Sequence, residues 1–320
     1  MTQPNLDFVD CADPSGGHRM AYWQWGDPQA GHVVLCVHGL TRQGRDFDAL
    51  AQALLARARG PVRIVCPDVV GRGRSDWLAD PAGYTFAQYL GDMIALLARL
   101  HARAPIDRLD HVGTSMGGLI GIFLASQPAL QPAAVSRLVL NDVGPAVEFD
   151  AIARISGYVG QGGEYATVDE AAAMLAGIST GFGPHTPAQW RALTEPMLVP
   201  ARLRSPDGSR RLAPQGEDVE LGAGPFRLHY DPALAVGLKS FSREAAAQAE
   251  AAVWGAYDLV GAPTLLLRGA QSDLLSPATA EAMTQRGPRA TLVEFEGVGH
   301  APTLVDPAQS EVVVSFLMGP

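Results

Sequence analysis

Three cysteines in 320 residues leave no room for a disulfide framework. Cys11, Cys36 and Cys66 lie far apart. The latter two sit inside the apolar runs Val33-Val-Leu-Cys-Val and Ile64-Val-Cys-Pro, and all three read as small buried hydrophobes. No H-E-x-x-H, C-x-x-C pair or acidic calcium loop is present, so neither a metal nor another cofactor is expected. Gly71-Arg-Gly-Arg-Ser-Asp76 lacks the spacing and the Lys-Ser/Thr ending of a phosphate loop and reads as a tight turn. No apolar run approaches the roughly 20 residues needed to span a bilayer. The first ten residues carry no basic and apolar leader pattern, so a cytoplasmic protein is expected. Basic residues number 24 against 33 acidic, a formal charge of −9. With no basic block as well, nucleic acid and anionic membranes are excluded as expected partners.

What is present is an alternation of strands and helices. Apolar strands are expected at 20–25, 32–37, 62–66 and 135–140, with helices at 46–58, 86–100 and after residue 115. Continuous apolar strands joined by helices imply a mostly parallel sheet covered on both faces, an α/β fold. The alternation breaks after Pro145. Helical pieces follow at 149–159, 171–178 and 190–198, and Ser205-Pro-Asp-Gly-Ser reads as a turn. The stretch Ala262-Pro-Thr-Leu-Leu-Leu-Arg-Gly, a helix at 277–285, the strand Thr291-Leu-Val-Glu-Phe and a last helix at 308–317 resume the pattern. The chain therefore divides into a core of residues 1–145 and 251–320, with a mainly helical lid inserted at 146–250.

The chemistry centres on Gly113-Thr-Ser-Met-Gly117, between an apolar strand and a helix. In that context G-x-S-x-G is a nucleophile elbow, with Ser115 on a sharp turn above the sheet. A serine hydroxyl needs a base, and the base needs an orienting acid. His300, in the glycine-rich loop after the last strand, is the base candidate. Asp273, in Leu267-Arg-Gly-Ala-Gln-Ser-Asp just past a buried strand, is the preferred acid, and Asp142, ending the strand before the insertion, is its rival. Backbone N–H groups of Met116 and Leu40 would form the oxyanion hole. His38 is read as a residue that fixes this loop. Arg42, Arg72 and Arg74 are read as solvated surface at the pocket mouth, and the segment His229-Tyr-Asp-Pro232 as structural packing. Phe149, Ile152, Ile155, Tyr158, Phe182, Trp190 and Met197 are candidate lining for an apolar acyl pocket.

These motifs together resemble the α/β-hydrolase fold: His38-Gly39, Gly71 to Asp76, Gly113 to Gly118, Asp273 and Gly299-His300. The chain is further similar to lid-bearing bacterial serine esterases, through His38-Gly-Leu-Thr-Arg, Asn141-Asp-Val-Gly-Pro, Gly157-Tyr-Val-Gly and Gly299-His-Ala-Pro-Thr-Leu. The resemblance implies a central parallel sheet with helices on both faces and a helical lid. It carries the family's serine, acid and histidine onto Ser115, Asp273 and His300, and implies a small-molecule ester or lactone substrate with no cofactor. Haloalkane dehalogenases and epoxide hydrolases use an aspartate nucleophile, which Ser115 excludes. Two alternatives stay open. One is carbon–carbon bond hydrolysis of ring-cleavage diketones by the same triad. The other is a ligand-binding receptor that keeps the fold without turnover.

Overall fold

The computed structural model describes residues 3–127, 129–130, 132–201, 224–239 and 242–319. The turn expected at Ser205–Ser209 lies outside them.

In chain order the elements begin β1 (Asn5–Cys11), β2 (His18–Gly26), β3 (His32–Val37), α1 (Asp48–Arg57), β4 (Arg63–Pro67), α2 (Phe86–Arg103), β5 (Arg108–Thr114), α3 (Met116–Ala125) and β6 (Val135–Asn141). The middle segment holds α4 (Phe149–Tyr158), α5 (Val168–Ile178), α6 (Pro187–Thr194), β7 (Leu198–Pro200), β8 (Phe226–Leu228), α7 (Leu234–Lys239) and α8 (Arg243–Asp258). The chain closes with β9 (Thr264–Gly269), α9 (Pro277–Gln285), β10 (Thr291–Phe295) and α10 (Pro307–Met318).

Eight strands form one sheet in the order β1-β2-β4-β3-β5-β6-β9-β10. The pairs β1–β2 and β2–β4 are antiparallel, and from β4 to β10 the pairing is parallel. Side chains alternate across each strand, so Val34 and Cys36 face one side while Val33, Leu35 and Val37 face the other. The first set packs with Leu50 and Leu54 of α1 and Val313, Val314 and Leu317 of α10. The second packs with α2, α3 and α8. Helix α2 shows how local sequence sets this arrangement. The Thr85 side chain accepts from the Gln88 N–H as an N-cap, and Tyr89, Met93, Leu96, Leu97 and Leu100 form one buried stripe. Cys11, Cys36 and Cys66 are buried and unpaired, as expected.

Strand β1 is not part of the sequence expectation. Its burial is incomplete and its alternation weak, because it lies at the sheet edge. A buried histidine ties it down: the two ring nitrogens of His18 lie 2.9 Å from Asp13 and 3.1 Å from Asp92 of α2. Burial alone would lower the His18 pKa, but the Asp92 and Asp13 carboxylates raise it above its ordinary 6.5. A raised histidine pKa gives stability that is complete below the unfolded value and fades as pH rises through the folded one. The melting-temperature gap between this protein and His18→Gln is therefore expected to be widest below pH 6.5 and to narrow above it. A gap that is flat with pH would mean that His18 is uncharged in the fold.

The middle segment differs from its expectation at 195–200 and at 226–228. Residues 190–198 are expected as a single helix, but Glu195-Pro-Met197 is a short 3-10 turn and Leu198 begins β7. Pro196 supplies no N–H to continue α6. Strand β7 pairs with β8, a two-stranded ribbon with no counterpart in the sequence expectation. No helix among the described residues is long and apolar enough to cross a membrane.

Candidate active site

The carboxyl ends of three adjacent parallel strands lie side by side, with β9 running on to Gly269. Register pairs Thr114 with Asn141 and Asn141 with Leu267, so the residues that follow β5, β6 and β9 meet at one edge. Ligands of open α/β sheets bind at such carboxyl ends.

Ser115 follows β5 directly and has φ 52°, ψ −117°, a conformation that few L-residues adopt. The turn requires the flanking glycines. A Cβ at Gly117 would run into the carbonyl of Val37, and one at Gly113 into the backbone of Gly117. The resulting geometry lifts the serine side chain off the sheet. Ser115 Oγ–H donates to His300 Nε2 at 3.0 Å. His300 Nδ1–H donates to Asp142 Oδ2 at 2.7 Å.

The preference for Asp273 is thus corrected: the carboxylate beside His300 belongs to Asp142. Asp142 is fully buried and continues the β6 line, its N–H donating to the Leu267 carbonyl at 2.8 Å. It sits at φ 55°, a left-handed conformation that aspartate tolerates better than most residues. Its Oδ1 accepts the Gly269 N–H at 2.8 Å, and its Oδ2 accepts the Ser272 hydroxyl at 2.6 Å. Asp273 comes one residue after Ser272 and turns away. Half-exposed, it pairs bidentately with Arg154 of α4 at 2.8 and 3.0 Å. Ser272 turns inward, so the next side chain faces the middle segment.

The loop after β3 closes the other side. His38 is fully buried, and burial lowers its pKa to about 3, so it is neutral. Its Nδ1–H donates to the Gly39 carbonyl at 2.6 Å, and its Nε2 accepts the Val69 N–H at 2.9 Å. Both nitrogens are thereby spent on holding the loop. Leu40 follows Gly39, which abuts Ser115. Met116 is the first residue of α3, where backbone N–H groups lack acceptors within the helix.

Arg72 departs from the expectation of a solvated side chain. It is fully buried, donating to the carbonyls of Leu40 at 2.7 Å and Val70 at 2.6 Å and to the Tyr89 hydroxyl at 3.1 Å. Its remaining nitrogen lies 3.5 Å from the Met116 sulfur. Arg72 therefore touches both residues expected to supply oxyanion donors. The tight turn at Gly71–Asp76 tucks residue 72 under the loop, a placement that the turn motif alone does not show. Arg42 is also held, by two bonds to Asp46 at 2.6 and 2.7 Å and one to the Leu193 carbonyl at 3.1 Å.

A cavity of about 840 Å³ opens over Ser115 and His300. Of the expected pocket residues, Ile155, Tyr158, Phe182 and Met197 line it. Phe149, Ile152 and Trp190 do not: Phe149 lies under the Arg243 guanidinium, Ile152 packs among the apolar residues around Val143, and Trp190 stacks behind Phe182. The middle segment meets the core around this cavity, with Gly299 N–H donating to the Gly181 carbonyl at 2.6 Å beside His300. Among the described residues, Cys11, His18 and Asp92 bring three donor atoms within 4.8 Å, away from this cavity. The His18 nitrogens there are already engaged by carboxylates.

Residues 32–307 match the family model described as alpha/beta hydrolase fold. A 3-hydroxybutyrate-oligomer hydrolase of Cupriavidus necator is 47% identical over 317 residues, covering 99% of this chain and 98% of the relative. The crystal structure of an alpha/beta hydrolase from Novosphingobium aromaticivorans is 32% identical, with a TM-score of 0.77 over 99% of each chain. An E-2-(acetamidomethylene)succinate hydrolase structure shares the fold at 21% identity, with a TM-score of 0.72 over 98% of this chain and 99% of that one.

Proposed function

The chain belongs to the alpha/beta hydrolase fold family, and on that premise we propose that it is a serine esterase of short 3-hydroxybutyrate oligomers. The observation that carries the reading is the unbroken hydrogen-bonded line Ser115–His300–Asp142, whose first two members line the cavity. The substrate class rests on 47% identity to an oligomer hydrolase over nearly the full length of both chains. A concave site of about 840 Å³ suits a short chain better than the face of a solid polymer.

In the proposed reaction, Ser115 Oγ attacks the ester carbonyl as His300 Nε2 takes its proton. Asp142 holds the tautomer with hydrogen on Nδ1 and stabilises the imidazolium. The N–H groups of Met116 and Leu40 receive the developing oxyanion, aided by the α3 dipole. His300 returns the proton to the departing hydroxyl, leaving an acyl-serine. Water, deprotonated by His300, then releases the second hydroxyacid. The described residues within 146–250 serve as the lid, with Ile155, Tyr158, Phe182 and Met197 against the acyl chain.

The test is product analysis with 3-hydroxybutyrate dimer and trimer, p-nitrophenyl butyrate and simple lactones. Release of 3-hydroxybutyrate from dimer and trimer, at kcat/KM well above that for lactones, is the expected result. Cleavage of p-nitrophenyl butyrate alone would keep the esterase and remove the oligomer substrate. Cleavage of vinylogous diketones in place of every ester would move the reading to carbon–carbon hydrolysis.

A further inference from the structure

Among the described residues, four arginine and aspartate side chains line the cavity: Arg42, Asp46, Arg154 and Asp273. They form two pairs of different character. Arg42 and Asp46 are largely covered, their side chains 11% and 16% exposed, and Arg42 is locked further by the Leu193 carbonyl. Arg154 and Asp273 are 46% and 50% exposed. Such a pair gains little over solvation of its members, so another carboxylate exchanges into it readily. The pair joins α4 of the middle segment to the loop after β9.

The geometry points to Arg154 as the anchor for the free carboxylate of the substrate, with Asp273 holding the guanidinium in its place until substrate arrives. This rests on the oligomer-ester reading above. A 3-hydroxybutyrate oligomer ends in a carboxylate, and in the dimer that carboxylate lies on the departing hydroxyacid. The departing group must sit near His300 Nε2, which protonates it. Arg154 and Asp273 line the same cavity as Ser115 and His300, so the space that receives the departing hydroxyacid reaches the guanidinium. The Asp273 contact already displays the two-bond grip that a planar guanidinium gives a carboxylate. Half-buried Tyr158, which also lines the cavity, has its hydroxyl close to Arg154 and offers a second polar group beside the guanidinium.

The experiment compares the 3-hydroxybutyrate dimer with its terminal carboxamide, a neutral isostere with the same scissile ester. Both are measured in the unaltered protein, Arg154→Gln and Asp273→Asn, with p-nitrophenyl butyrate alongside. The acid-to-amide ratio of kcat/KM is expected to favour the acid in the unaltered protein. In Arg154→Gln it falls at least tenfold, carried by a higher KM for the acid. Asp273→Asn, which releases Arg154 from its stand-in, lowers that KM. An unchanged ratio in Arg154→Gln, or an amide preferred by the unaltered protein, overturns the anchor and leaves Arg154 a structural tie. Turnover of p-nitrophenyl butyrate with neither dimer form cleaved also overturns it, while the ester hydrolase stands. No turnover of any ester by the unaltered protein removes the function itself.

Discussion

Ser115→Ala is expected to lower kcat for ester hydrolysis by on the order of 10⁶-fold, leaving the melting temperature close to that of the unaltered protein. The size follows from the arrangement. Ser115 Oγ is the atom within 3.0 Å of His300 Nε2, and no neighbouring hydroxyl holds an equivalent place at the end of β5. Without it, the proposed covalent step is lost, and only the oxyanion donors and binding remain to hasten attack by water. The φ of 52° at this position is one that alanine must adopt as well, so strain is unchanged and the fold is retained. Burst kinetics with p-nitrophenyl butyrate, followed by intact-mass detection of a butyryl adduct, check the same point from the product side. Turnover that survives the substitution would place the nucleophile elsewhere.

Asp142→Asn is expected to cost about 10⁴-fold in kcat, against less than tenfold for Asp273→Asn on a neutral ester. Asp142 accepts three hydrogen bonds, from Gly269, Ser272 and His300. An asparagine there offers one oxygen for them and turns an N–H toward a neighbour. If that N–H faces His300, the ring must present a lone pair at Nδ1 and carry its hydrogen on Nε2, where it cannot take the serine proton. Asp273 has no contact with the ring, and its substitution disturbs only the half-exposed pair with Arg154. Steady-state kinetics on the two variants, with melting curves as the control for folding, decide between them. The reverse ranking would return the acid to Asp273.

The sequence determined much of this protein by local rules. Strands such as Val33–Val37 read as buried because their apolar run has no polar alternation. The elbow at Gly113–Gly117 reads as an elbow because two missing side chains flank a serine within five residues of chain. His300 was legible for a similar reason, a histidine in a glycine-rich loop directly after a strand. Local pattern also carried the alternation of β2 to β6 with their helices and its resumption from β9 to α10.

Which carboxylate meets His300 was not a local question. Asp142 and Asp273 both follow a strand end, and both precede the histidine in the chain. Only the register of β5, β6 and β9 and the inward turn of Ser272 separated them, setting one aspartate behind the imidazole and the next toward α4. Arg72 and Arg154 were hidden in the same way. Nothing in a chain order says that one arginine of a glycine turn is fully buried beneath Leu40 and Met116, or that an arginine on an exposed helical face reaches across to a core loop. Periodicity and turn chemistry depend on neighbours a few residues apart, whereas side chains 119 and 158 positions apart are brought together by packing alone.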